Sequence, residues 1–340
     1  MVELTNRNAT PSVVGFHFQD LVGLMLLLDL EKVKNIKTIT IEGEEDIEIK
    51  NVDSTLEYYQ LKATTKPFEA KMTKPLKDAL VSLNDDSVRA TENGQDVAML
   101  AYVSNSNKPL GIQKNSEIFA QSYGNYLFAD LPIEQQKQIT RYLPDGSVID
   151  LDKFHVMKVH FAGSDEQTRR IEVSNKVTEF VGAAGPSAIH MRDLENELIA
   201  LVSQSAEEKR AVVSKEDLLA HAVVTEIFQT PNWDDFFDRY DVDPGNEAYI
   251  KAKYSEMNEF ILSNFTVVSV IRRDYNDFIK VNPNLPRRER KIKFVNDQVE
   301  LVKSRLRLTE ERDNDIAKLI SEVVITSATT YDKVKEVVGL

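Results

Sequence analysis

The chain has 340 residues, enough for two domains each with its own core, and 42% of them are hydrophobic, as in an ordinary water-soluble fold. It has no cysteine, which excludes disulfides, zinc fingers and thiol catalysis and suits a reducing cytoplasm. A net charge of −13 counts against a protein that coats nucleic acid on its own.

Thr10 or Ser12 caps a helix predicted to run from Pro11 to about Val33, apolar on nearly every side and therefore enclosed by other elements. Its run from Leu21 to Leu28 is too short to cross a bilayer, and no membrane association is expected. Ile36 to Ile41, Glu44 to Lys50 and Leu56 to Lys62 read as three successive strands, the last two joined by a polar turn over Lys50-Asn51-Val52-Asp53-Ser54. Pro75 opens a helix to about Ala90, with Leu76, Ala79, Leu80 and Leu83 at helical spacing. Val97 to Val103 reads as an apolar strand that ends at the turn-rich Ser104-Asn105-Ser106-Asn107. His155 to Phe161 reads as one more strand, on which His155 and His160 would face opposite ways and form no metal pair. From Asp165 helical periods dominate: Ser187 to Gln204, Ser214 to Phe228, Glu247 to Val281 with internal polar breaks, and helices before and after Thr309. The fold class is therefore α+β, a mixed sheet flanked by helices followed by a mainly helical C-terminal part. Its expected divisions are 1–110, a connecting region 111–185 crossed by the His155 strand, and an all-helical assembly or regulatory domain 186–340.

The chemistry concentrates in the first third. Alternation along Glu44 to Lys50 puts Glu44, Asp46 and Glu48 on one face and Ile47 and Ile49 on the other. Along the next strand Tyr58, Gln60 and Lys62 share a face, so pairing of the two strands brings Asp46 beside Gln60 and Lys62. A hard cation such as Mg2+, or Mn2+ in its stead, is held by one or two carboxylates plus an amide or backbone carbonyl and the substrate phosphate. Asp46 supplies the anchoring charge, Gln60 an oxygen, and Lys62 a positive charge for the attacking water or the phosphate. From 62 to 77, Lys62, Lys66, Lys71, Lys74 and Lys77 face only Glu69, and Lys66, Lys71 and Lys74 are candidates to track a phosphate backbone. A second basic cluster runs from Arg287, Arg288, Arg290, Lys291 and Lys293 to Lys303, Arg305 and Arg307; a mixed solvated helix is its ordinary explanation. The helical half has no Gly-rich phosphate loop, no HExxH and no GxSxG, which excludes these routes to ATP use, zinc hydrolysis and serine catalysis.

Gly15-Phe16-His17-Phe18-Gln19 on the leading helix, then Glu42 to Ile49, then Gln60-Leu61-Lys62, resemble in this order the PD-(D/E)xK nuclease superfamily, in the variant where glutamine takes the place of the second acid. More specifically they resemble the double-stranded-DNA endonuclease domain of bacterial antiphage effectors, found in CD-NTase-associated endodeoxyribonucleases and Lamassu-type effector subunits. The resemblance covers roughly residues 10 to 105. It implies a restriction-endonuclease-like core, Mg2+-dependent cleavage of double-stranded DNA by Asp46, Gln60 and Lys62, metal ligation by Asp46, Gln60 and Glu48, and supporting roles for Glu48, Glu44 and Gln19. Aspartate is commoner at the position of Glu48, so periodicity leaves open whether Asp46 or Glu48 is the main ligand; the shorter arm of Asp46 favours it. The resemblance also implies a restraining partner: an SMC-like ATPase in a Lamassu-type complex, or next a HerA-type ATPase. Self-assembly is expected, since a double-strand cut needs two sites. The reading from another class is a non-catalytic subunit of an ATPase-containing complex that grips DNA or serves as an adaptor.

Overall fold

The computed structural model describes residues 10–41, 46–162, 170–184, 191–207, 212–228 and 231–340, without the side chains of 10–13 and 204–207. Two compact units emerge: residues 1–180 with 195–215 and 339, and residues 181–194 with 216–338 and 340.

In the first unit α1 (Thr10–Leu27) is followed by β1 (Ile36–Ile41), β2 (Ile47–Asn51) and β3 (Leu56–Lys62). The helix stops six residues short of the expected Val33. Asp29 ends it: its carboxylate accepts the Glu31 amide at 3.0 Å, and its carbonyl takes the amides of Lys32 and Val33 at 3.0 and 2.7 Å. Such a local side-chain bond competes with continued helix. Gly23 lets α1 lie close on the sheet, because an added Cβ would sit 2.4 Å from Ile41 Cδ1. The covered face holds Ile41, Ile47 and Ile49, each at most 1% exposed.

The opposite face of the sheet receives α2 (Thr73–Glu92), which crosses to β4 (Val97–Ser104), parallel to β3. Leu76, Ala79, Leu80 and Leu83 of α2 pack on Leu56, Tyr58, Leu100, Tyr102, Phe154 and Val156 in one buried cluster. Each fully buried leucine stabilises by about 1.5–3 kcal/mol, so this face anchors β3 and β4.

Three further strands join the sheet. β5 (Tyr123–Leu127) runs antiparallel to β6 (Phe154–Val159), α3 (Ile133–Tyr142) lying between them in sequence, and β6 runs parallel to β4. After α4 (Ile171–Ala184) and α5 (Met191–Glu207), β7 (Val212–Ser214) pairs with β1. The order is β5-β6-β4-β3-β2-β1-β7, a mixed seven-stranded sheet. β6 matches the strand expected from His155, whereas β5 and β7 carry no strand signal in the sequence. Tyr123-Gly124-Asn125-Tyr126-Leu127 shows no inside-out alternation, with every residue half-buried or exposed, and β7 has only three residues.

After α6 (Lys215–Ile227), the second unit is helical among the described residues: α7 (Trp233–Tyr240), α8 (Glu247–Ser263), α9 (Thr266–Val281), α10 (Arg287–Asp297), α11 (Val299–Arg305), α12 (Asn314–Thr326) and α13 (Ala328–Val338). The expected segment from Glu247 to Val281 is two helices, α8 and α9, separated at Asn264, whose amide side chain bonds back to the Phe260 carbonyl at 2.9 Å. Helix α12 is central, touching α8, α9, α10, α11 and α13 through Ile316, Ala317, Leu319, Ile320, Val324 and Ile325, all buried. Phe236 and Phe237 are buried and Trp233 stacks on Phe237 at 5.8 Å, so most of the aromatic run of α7 is core. No described helix is long and apolar enough to cross a membrane.

Candidate active site

The β2–β3 hairpin sets the register of the site. Ile47 pairs with Tyr59 and Glu48 with Tyr58, which places Asp46, one residue before β2, opposite Gln60. Asp46 thus precedes the strand instead of lying in it as the alternation predicts. The main-chain ladder ends at Ile47, and the Asp46 carboxylate replaces it: its Oδ2 accepts the Leu61 amide at 2.6 Å. A charge-assisted bond of this kind fixes both the carboxylate and the end of β3.

Lys62 closes the arrangement. Its Nζ lies 3.2 Å from Gln60 Oε1, to which it donates, and 3.6 Å from Asp46 Oδ2. Gln60 is 3% exposed, whereas the side chains of Asp46 and Lys62 are 30% and 29% exposed, so the floor of the site is buried and its mouth open. In this partly solvated setting the Asp46–Lys62 pair adds little stability, about 0–1 kcal/mol. The Asp46 Oδ1 takes part in neither contact.

The other residues singled out in the sequence fall around this centre. Glu48 is half-buried on the face of Tyr58, two cross-strand pairs from Asp46 and Gln60. Glu44 lies outside the described residues. Gln19 is 7% exposed on α1 and donates its side-chain amide to the Asp46 carbonyl, satisfying a backbone group beside the candidate site. Lys66, Lys71 and Lys74 are exposed on the segment that leaves β3 and on the first turn of α2.

Two features were not read from the sequence. Asn105, fully buried, accepts the Thr64 amide and donates to the carbonyls of Thr64 and Phe161, all at 2.8 Å. It clamps the chain just beyond β3 and β6. Its setting among serines carries only a turn signal; the 0% exposure that marks it becomes visible once the strands are paired. The second is Lys158, which the register places in one row with Ser104 and Lys62 across β6, β4 and β3. It is 2% exposed, and burial pushes its ammonium down to about 8 against the opposing pull of Glu172.

The oxygen donors at the centre, a carboxylate and an amide carbonyl, fit a hard divalent cation that keeps several waters. Among the described residues no three of His, Cys, Asp and Glu gather to hold a metal.

A mixed sheet between α1 and α2 is the α/β core anticipated from the sequence, and a carboxylate, an amide and an ammonium meet at the end of its β2–β3 hairpin. The profile of the family described as Cap4, dsDNA endonuclease domain, matches residues 11–228, and the chain belongs to that family. Two solved structures of the Acinetobacter baumannii Cap4 SAVED/CARF-domain containing receptor, with the cyclic trinucleotides 3'3'3'-cAAA and 2'3'3'-cAAA, are similar to it at 16% identity and a TM-score of 0.38. The similarity covers 62% of this chain and 47% and 45% of those receptors, so the chain spans less than half of their length. No curated protein matches.

Proposed function

We propose that the chain is a metal-dependent endodeoxyribonuclease, the effector subunit of a bacterial antiphage complex, that degrades double-stranded DNA when released or assembled. The observation that carries this reading is the convergence of Asp46, Gln60 and Lys62, with one ammonium within 3.2 Å of the amide oxygen and 3.6 Å of the carboxylate. Membership of a double-stranded-DNA endonuclease family supports it.

Asp46 and the Gln60 carbonyl would hold Mg2+ or Mn2+, with Glu48 and Glu44 in support. A bound cation supplies water activation and neutralisation of phosphate charge. Gln60 and Asp46 hold the Lys62 ammonium at the open side of the centre, where it meets a phosphate oxygen and stabilises the negative charge that grows there. Gln19 and the Leu61 amide hold Asp46 from its carbonyl and its Oδ2, so the carboxylate is oriented before substrate arrives. The exposed Lys66, Lys71 and Lys74 supply local positive charge beside the site in a chain whose net charge is −13.

The partner we favour is an SMC-like ATPase of a Lamassu-type system, with a HerA-type ATPase next, and the active state is a homo-oligomer that sets two sites against two strands. The helical unit is the part available for docking and restraint. Incubation with plasmid and Mg2+ or Mn2+, with and without EDTA and over a range of protein concentrations, tests the reading. Metal-dependent linear product from the wild type but not from Asp46→Ala or Lys62→Ala supports it; equal cleavage by all three proteins refutes the assignment of the site.

A further inference from the structure

The segment from Ala63 to Met72 leaves the proposed site immediately after Lys62 and displays an aromatic ring. Phe68 is 62% exposed, while Pro67 beside it and Met72 beyond it are buried. The backbone beneath is tied down. Thr64 exchanges two hydrogen bonds with Asn105, the Lys66 amide donates to Thr64 Oγ1 at 3.2 Å, and the Ala70 amide donates to the Lys66 carbonyl at 2.9 Å. The Pro67 carbonyl accepts the Asn107 amide at 2.8 Å, and the Ala70 carbonyl accepts the Ser106 hydroxyl at 2.8 Å.

An exposed phenylalanine forgoes hydrophobic burial, and a fixed loop has already lost the entropy that ordering on a partner would cost. The charge around the ring selects the partner. Lys66, Lys71 and Lys74 are exposed, and Glu69 is the only acidic residue from 62 to 77. An apolar protein surface would leave these ammonium groups without counter-charge, whereas a duplex offers phosphates to the lysines and the flat faces of its bases to the ring.

We propose that Phe68 is a stacking wedge: it inserts against the bases next to the scissile phosphate while the neighbouring lysines hold the backbone. The inference rests on the nuclease reading of the adjacent site. Its consequence is a preference for steps that unstack easily, pyrimidine–purine steps above all, arising without any hydrogen bond to a base.

The test uses the full chain carrying Lys62→Ala, to suppress cleavage, and a short labelled duplex with 2-aminopurine at successive positions. Adding Phe68→Ala should weaken binding about ten-fold, with the slope of affinity against salt unchanged because the lysines still meet the phosphates. Phe68→Trp should keep the affinity. The rise in 2-aminopurine fluorescence at the contacted step should vanish with Phe68→Ala and persist with Phe68→Trp. Unchanged affinity together with unchanged fluorescence overturns the wedge, and a lower affinity in which tryptophan fails as alanine does overturns it too. If wild type cuts plasmid while Phe68→Ala neither binds nor distorts differently, the wedge alone falls; if no variant binds DNA and wild type does not cut, the nuclease reading falls with it.

Discussion

Replacing Lys158 by methionine should stabilise the first unit, by an amount that depends on pH. The lysine sits on β6 between Ser104 of β4 and Gly124 of β5, is 2% exposed, and titrates at about 8 instead of 10.5 because burial disfavours its charged form. Each pH unit of such displacement is worth about 1.4 kcal/mol, so keeping the proton at pH 7 costs the folded state about 3 kcal/mol. Between pH 8 and 10.5 the unfolded chain holds this proton and the folded chain does not. The unfolded state therefore binds more protons, and the lysine's penalty shrinks as pH rises through that window. Methionine keeps most of the stem and removes the charge; repacking it costs less than about 1.5 kcal/mol, which the relieved penalty exceeds. Urea unfolding of wild type and Lys158→Met at pH 7, 9 and 10.5 should show the variant more stable at pH 7 by about 1.5–3 kcal/mol and the gain fading by pH 10.5. A destabilised variant at pH 7, or a gain that does not change with pH, refutes the reasoning.

Asn105→Ala should lower stability by about 2–4 kcal/mol in urea unfolding, because the Thr64 and Phe161 carbonyls and the Thr64 amide lose their partner together. Leu80→Ala, which opens a cavity between α2 and the sheet, should cost about 2–5 kcal/mol in the same assay. Replacing Lys66, Lys71 and Lys74 by alanine should reduce the slope of log affinity for duplex DNA against log salt by about 2.7, which is about 0.9 for each phosphate left without its lysine. Gln19→Ala should slow cleavage more than it weakens DNA binding, since Gln19 holds the Asp46 carbonyl and faces no open surface.

The centre of the site was legible because it depends on local rules. A two-residue side-chain period and a short polar turn suffice to bring Asp46, Gln60 and Lys62 together, and the hairpin register does so. The beginning of β2 was not legible, since its ladder ends on a side-chain carboxylate, which no periodicity records. The same holds for the end of α1, where Asp29 turns its carboxylate onto the following backbone. Strand β5 lacks the alternating burial that betrays a strand, β7 is only three residues long, and both exist because β6 and β1 offer them an edge. Asn105 and Lys158 become conspicuous through burial alone, and burial of a polar residue follows from distant pairings that a single sequence does not display.

The proposed chemistry turns on the lysine at the end of β3. Single-turnover cleavage of a labelled duplex in Mg2+ should be about 100-fold to 1,000-fold slower for Lys62→Ala than for wild type, at closely similar DNA affinity, because the ammonium acts on charge that develops during the reaction. Equal rates for the two proteins would contradict it.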